Sequence, residues 1–210
     1  MNETFRIRLE YSISGMARFT GHLDKQRLWE RALRRSDLPL SYSQGFSPKA
    51  RLSLASALPL GYTSCCEALD FWMSTDLPDE QIQQALESSL PGDIRLLKVE
   101  HVAKDLPAMQ AILLSSQYQV YFNKSISQES LQRKVDELLN REVIQRNRRG
   151  KVLNLRDQLE DIQTQCINDQ VILYLQMSAK PGATGRPDEL LEELGIDPNT
   201  CLIERIKLIY

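Results

Sequence analysis

Twice along this sequence a run of alternating apolar residues gives way to an apolar stripe at helical spacing, and that switch limits the fold more than any other feature. In the first instance Phe5, Ile7, Leu9, Tyr11 and Ile13 alternate with Arg6, Arg8, Glu10 and Ser12, the pattern of a strand with one buried and one wet face. Arg6 and Arg8 fall on the wet face. A helix follows, then a strand near 51–57, a break at Pro59-Leu60-Gly61, and a strand in which Leu69, Phe71 and Met73 alternate with Asp70 and Trp72. Next come a helix with Ile82, Ala85 and Leu86 on its apolar face and a strand over 94–102. Strand, helix, strand, strand, helix, strand is the split βαβ or ferredoxin-like order: an antiparallel sheet with both helices on one face.

The pattern restarts after 104–116, a stretch without a clear period that reads as a linker. Tyr118, Val120 and Phe122 alternate, Ser127 can cap a helix with Leu131, Val135, Leu138 and Leu139 on one face, and 142–146 and 151–155 read as strands joined by the turn Asn147-Arg148-Arg149-Gly150. Val171, Leu173 and Leu175 form another strand, Pro187 opens a helix, and 202–210 closes as a strand. The expectation is an α+β protein of two tandem ferredoxin-like halves, 1–103 and 117–210, with antiparallel sheets. The second half has one strand too many, and 157–165 stays unplaced. The surplus makes the Arg146–Lys151 hairpin project as an arm.

Between Arg18 and Arg51 the residue types ask for a chemical explanation. Thr20 or Gly21 can open the first helix, whose Leu28, Trp29, Ala32 and Leu33 share one face while Arg27, Arg31, Arg34 and Arg35 share the other. The loop Ser41-Tyr42-Ser43-Gln44-Gly45-Phe46-Ser47-Pro48 has turn chemistry, and Lys49 and Arg51 follow it. Arg18, Lys25, Arg27, Arg31, Arg34, Arg35, Lys49 and Arg51 face only Asp24, Glu30 and Asp37, in a chain whose net charge is −2. A single arginine of this kind is ordinarily a solvated helix face, but a local excess inside an acidic protein reads as an anion-binding patch. Arg18, His22, Arg27, Arg31, Arg34, Arg35, Tyr42, Gln44, Lys49 and Arg51 are therefore expected to meet one anionic ligand. Arg146, Arg148, Arg149 and Lys151 at the hairpin form a second basic group, either a charged guard against edge pairing or a phosphate-gripping arm.

Other site classes are poorly represented. Cys65, Cys66, Cys166 and Cys201 match no zinc, iron–sulfur or disulfide spacing; Asp157, Glu160 and Asp161 read as solvated; His101 stands alone; and 180–185 lacks the ending of a phosphate loop. The residues indicate no metal and no cofactor. Residues 1–8 contain no apolar targeting core, and no apolar run approaches the roughly 18 residues of a membrane span, so cytoplasmic residence is the expectation.

The block from Arg18 through SQGFSPKARLSLASALPLG, with RIRLEYS before it, the RRGK hairpin and LNLRD after it, and GRPDELLEELG near the end, resembles an uncharacterised radical-SAM-associated family. Its members occur as the tail of a B12-binding radical SAM protein or as a separate small polypeptide. The resemblance implies an accessory role beside a radical SAM enzyme, with a link to RNA maturation. This chain has no CxxxCxxC motif and so carries no radical SAM chemistry itself. Three functions follow: binding of structured transfer or ribosomal RNA, with Tyr42, Phe46 and Trp72 stacking on bases; metal-independent RNA cleavage, with His22, Tyr42, Lys49 and Arg51 as the reacting set; or adaptor binding to the radical SAM protein. With one titrating group in that set, the chain is expected not to be catalytic by itself.

Overall fold

The alternation at the start of the chain makes β1 (Phe5–Ile13) the inner strand of a four-stranded antiparallel sheet. The structure is a computed structural model that describes residues 4–148 and 150–210, and the chain divides into two units, one ending at Ile112 and the other running from Leu113 to Tyr210. In the first unit β1 leads through a 3-10 turn (Gly15–Phe19) to α1 (His22–Arg35), β2 (Leu52–Leu54), β3 (Thr63–Met73), α2 (Asp79–Glu87), β4 (Ile94–Val102) and the short α3 (Met109–Ile112). The sheet order is β2-β3-β1-β4. Ile7, Leu9, Leu69, Phe71 and Met73 from the sheet, Trp29, Ala32 and Leu33 from α1, and Ile82 and Leu86 from α2 are all buried. Each of the larger side chains contributes roughly 1.5–3 kcal/mol by leaving water. Trp29 meets Tyr11 edge-on at 4.6 Å, which fixes the rotation of α1 about its axis.

The helix opening is bare. Gly21 is the N-cap of α1 and offers no side chain, so the helix is held by its packing. The turn before it is the better-braced element, because Asp93 accepts from the backbone amides of Met16 (2.7 Å) and Ala17 (3.2 Å). Gly15 lies beside that carboxylate at φ 49°, and a Cβ there would collide with it.

Two expectations change in this unit. Arg6, assigned to the wet face, is 4% exposed, and Lys25, counted among the exposed cations, is buried with its ammonium 3.4 Å from the Leu58 carbonyl. The cause of the first is Asp70, itself 1% exposed, which stands opposite Arg8 in the β1–β3 register. Asp70 accepts from Arg6 Nε (2.9 Å) and Nη2 (2.5 Å) and from Arg8 Nε (2.8 Å). The rest of the Arg6 fork donates to the carbonyls of Leu106 and Pro107. The stretch expected as a linker, 104–116, therefore carries ordered structure. Its first part lies over this sheet face, with Met109 buried and Gln110 bonded to the Leu54 carbonyl, and its last residues begin the next strand.

The second unit repeats the order with an insertion. β5 (Ser115–Phe122) leads to α4 (Gln128–Leu139), the hairpin β6 (Gln145–Arg148) and β7 (Lys151–Asn154), then β8 (Leu159–Ile167), β9 (Gln170–Lys180), the two-residue β10 (Ala183–Thr184), α5 (Pro187–Glu193) and β11 (Cys201–Ile209). The sheet order is β8-β9-β5-β11, with β10 sharing the outer side of β9. Ser127 caps α4 by accepting from the Ser130 amide, and Leu131, Val135 and Leu138 are buried as read, while Leu139 is exposed. The unplaced stretch is β8 and the 3-10 turn before it (Leu155–Gln158). A register shift between Leu159 and Asp161 brings Ile162, three residues after Leu159, to the buried side, so the strand never shows a period of two. The chain is thus a mixed α and β protein with five α-helices among the described residues and antiparallel strand pairing within each unit. No described helix is long and apolar enough to cross a membrane.

Replacing Asp70 by Asn should cost about 3–5 kcal/mol in urea unfolding, because Arg6 would keep its buried charge without a counter-ion. A loss below about 1 kcal/mol would show that the ion group is dispensable.

Candidate anion-binding site

With Trp29, Ala32 and Leu33 turned inward, α1 has no choice but to present Arg27, Arg31, Arg34 and Arg35 outward, and all four are exposed. Arg27, Arg31 and Arg35 line one side of a cleft of about 540 Å³ whose other side is the bend after α2, Ser88 to Pro91. Successive arginines on this ridge leave the backbone about 6 Å apart along the helix axis, since each is four residues after the last at a rise of about 1.5 Å per residue. Asp24 is the one acidic residue among the described residues lining the cleft, and it accepts from Arg27 Nη1 at 3.1 Å in an exposed pair that contributes little. Arg35 donates to the Ser89 carbonyl at 2.6 Å, which anchors one end of the ridge. Ser88 and Ser89 donate their hydroxyl protons to the carbonyls of Ala85 and Leu86. The strong donors facing the cleft are therefore guanidiniums, and a row of planar forks suits an extended polyanion better than one small phosphate.

The remaining expected site residues do not join this cleft. Arg18 is half-buried, its guanidinium 4.7 Å from the Phe19 ring centroid. His22 is exposed in the first turn of α1, near the end of the sheet where Ile13 pairs with Ser64 and Ile94. Tyr42, Gln44 and Lys49 belong to a loop at the other end, where Leu40 bridges Met73 and the Ser41 amide donates to the Trp72 carbonyl at 2.7 Å. The run of β3 from Ser64 to Met73 covers about 30 Å. His22, Tyr42 and Lys49 are thus not brought together, and a shared reaction centre for them is not assembled. Arg51 lies against Trp72 at 4.9 Å, with Arg6 at 5.5 Å from the same ring.

The hairpin arginines have their own partners. Arg148 donates through Nε (2.9 Å) and Nη2 (2.6 Å) to the two oxygens of Glu189, Arg146 pairs with Glu192 (2.9 Å) and Glu193 (3.2 Å), and Arg141 reaches Glu193 at 2.6 Å. Rather than projecting, β6 and β7 are tied down by the acidic face of α5. Lys151 is exposed, and Arg149 lies outside the described residues. The sequence signal for this clamp was present in Glu189, Glu192 and Glu193, which recur at helical spacing.

Sequence reasoning also left His101 alone, whereas its Nε2 lies 2.9 Å from Asp76 and its Nδ1 2.7 Å from Asp79, tying β4 to the start of α2. Glu160 and Asp161 are engaged with Ser115, Gln176 and Gln163, and among the described residues no group of acidic, histidine and cysteine side chains could hold a metal. Burial pushes the Cys201 thiol above its usual range, the opposite of what a nucleophile needs.

The fold and cleft define a mixed α and β protein with a cationic groove on its first helix. Residues 6–187 match the family described as an uncharacterized protein conserved in bacteria (DUF2344), and the chain belongs to that family. No curated protein matches the sequence. Among solved structures, the chain is similar to part of a Cbf5-Nop10-Gar1 complex, with 7% identity and a TM-score of 0.49 over 97% of this chain and 48% of that one. This chain therefore spans about half the length of that relative. It is also similar to an unknown protein from Galdieria sulphuraria, with 13% identity and a TM-score of 0.29 over 99% of this chain and 100% of that one.

Glu189→Gln should loosen the hairpin. Amide exchange over 145–154 should rise about tenfold, equivalent to about 1.4 kcal/mol, and unchanged exchange would mean that the Glu189 pair does not hold β6 in place.

Proposed function

We propose that this chain is a cytoplasmic accessory protein that binds structured RNA of the transfer or ribosomal class along the arginine ridge of α1 and is not catalytic by itself. The observation that carries this reading is the cleft in which Arg27, Arg31 and Arg35 face a single carboxylate, Asp24. A cationic row in a protein of net charge −2 is a local device for a polyanion, and its spacing suits consecutive phosphates. We read each unit as a ferredoxin-like half, a reading supported by the matching orders β2-β3-β1-β4 and β8-β9-β5-β11. The separation of His22 from Tyr42 and Lys49 removes the support for an RNA-cleaving set.

The double variant Arg31→Glu, Arg35→Glu tests the ridge. Its affinity for a transfer RNA should fall at least tenfold, and the slope of log affinity against log salt should drop by about two. Affinity equal to the parent's across the salt range would overturn the reading.

A second reading, adaptor binding to a radical SAM enzyme, is favoured by a different observation. Met16, Phe19, Leu23 and Leu60 are large apolar residues left exposed on the turn before α1, its first turn and the loop that Gly61 pins to the Arg18 carbonyl at 2.9 Å. Leu23→Asp with Leu60→Asp should abolish co-purification of the radical SAM protein while leaving RNA affinity intact. Co-purification equal to the parent's would remove the adaptor reading from this surface.

A further inference from the structure

The loop between α1 and β2 has a construction that its fold does not need. Its base is closed: Tyr42 bridges Ala50, the Ser43 amide donates to the Lys49 carbonyl at 2.8 Å, the Arg51 amide donates to the Ser41 carbonyl at 2.9 Å, and the Lys49 amide donates to Ser43 Oγ at 3.1 Å. Its tip is the reverse. Gly45 turns the chain at φ 135°, and Phe46 stands fully exposed, with Tyr42 44% exposed below it. An aromatic ring held out on a closed loop buries nothing within this chain and is shaped for something that covers its face. Gln44, Lys49 and Arg51 around it are exposed, and the Arg51 guanidinium is set by its stacking on Trp72.

Two partner classes cover exposed aromatic rings, proteins and unpaired nucleobases, and the charge decides between them. From Leu38 to Cys66 the sequence has no Asp or Glu, in a chain with 28 of them. A surface with rings, an amide and cations but no carboxylate over that length fits a phosphate-bearing partner whose bases have π-faces. We infer that the Tyr42–Lys49 loop is a stacking site for unpaired bases, separate from the arginine ridge and used together with it. This rests on the RNA-binding reading above and narrows its ligand. Only six residues, Ser36 to Ser41, lie between the Arg35 end of the ridge and Tyr42, so seven steps of backbone span at most about 25 Å. The RNA should therefore offer a stretch of backbone to the ridge and an unpaired segment within about 25 Å of it, as a stem with a single-stranded overhang does.

The test uses two RNAs of equal nucleotide number, a blunt hairpin and a hairpin with a single-stranded 3′ overhang, against the full chain and its variants. Phe46→Ala should lose about tenfold or more in affinity for the overhang RNA and nothing for the blunt one, because stacking on one ring is what it removes. Phe46→Trp should restore the affinity and show fluorescence quenching only with the overhang RNA. If Phe46→Ala binds both RNAs as the parent does while Arg31→Glu, Arg35→Glu binds neither, the loop inference falls and the ridge stands. If the charge-reversed variant still binds both RNAs like the parent, the RNA reading itself falls, and the loop inference with it. Loss of a co-purifying protein in Phe46→Ala, with both RNA affinities unchanged, would assign the loop to a protein partner and overturn the inference.

Discussion

A carboxylate cut off from water, Asp70, must be neutralised where it stands, and much of the first unit follows from how that is done. Two guanidiniums converge on it from β1, so the pairing of β1 with β3 cannot slip by one residue without separating the charges. Arg6 is the buried one of the two cations, and the carbonyls of Leu106 and Pro107 accept from the rest of its fork. That requirement draws the segment after β4 over the sheet. Arg6, held by Asp70, also rests on the Trp72 ring, and Arg51 stacks on that ring too. A chain of contacts thus leads from the buried ion group to the root of the exposed loop, and the loop inherits its orientation from the core.

The same residue type meets opposite fates in the two units, which explains how basic stretches differ in use. Arg146 and Arg148 lie across from a helix bearing Glu189, Glu192 and Glu193, so their charge is spent within the protein. Arg31 and Arg34 have no acidic partner among the described residues, because α1 faces the Ser88–Pro91 bend rather than another charged helix. A count of arginines does not separate these cases; the carboxylates on the neighbouring element do.

Where one face of an element was buried and the other wet, the sequence was enough. The periodicity of β1, α1 and α4 placed Ile7, Leu9, Trp29, Leu33, Leu131 and Val135 in the core, and the outward stripe of α1 followed by elimination. Reading failed where burial was polar or pairing long-range. Arg6 alternates like an exposed residue because the partner that buries it is 64 residues away. Lys25 hides an ammonium against a backbone carbonyl, a contact no side-chain pattern announces. β8 loses its alternation to a bulge. The expectation that His22 and Tyr42 share a ligand treated neighbours in sequence as neighbours in space, yet a helix of 14 residues carries the chain away between them.

The hairpin β6–β7 leaves and re-enters the second unit through a narrow neck. Ile144 and Leu155 are both fully buried there, and the Leu155 amide donates to the Ile144 carbonyl at 2.8 Å while Asn154 Oδ1 accepts from the Ile144 amide at the same distance. Among the described residues, what lies beyond the neck is joined to the sheet by no ladder of its own. The tip of the appendage can therefore lengthen or shorten during evolution at a cost that grows only with the logarithm of its length, provided the neck and the pairs from Arg146 and Arg148 to α5 survive. Related chains would then be free to diverge most in this blade, and its dimensions would record adaptation to different surroundings while the body of the unit stayed the same.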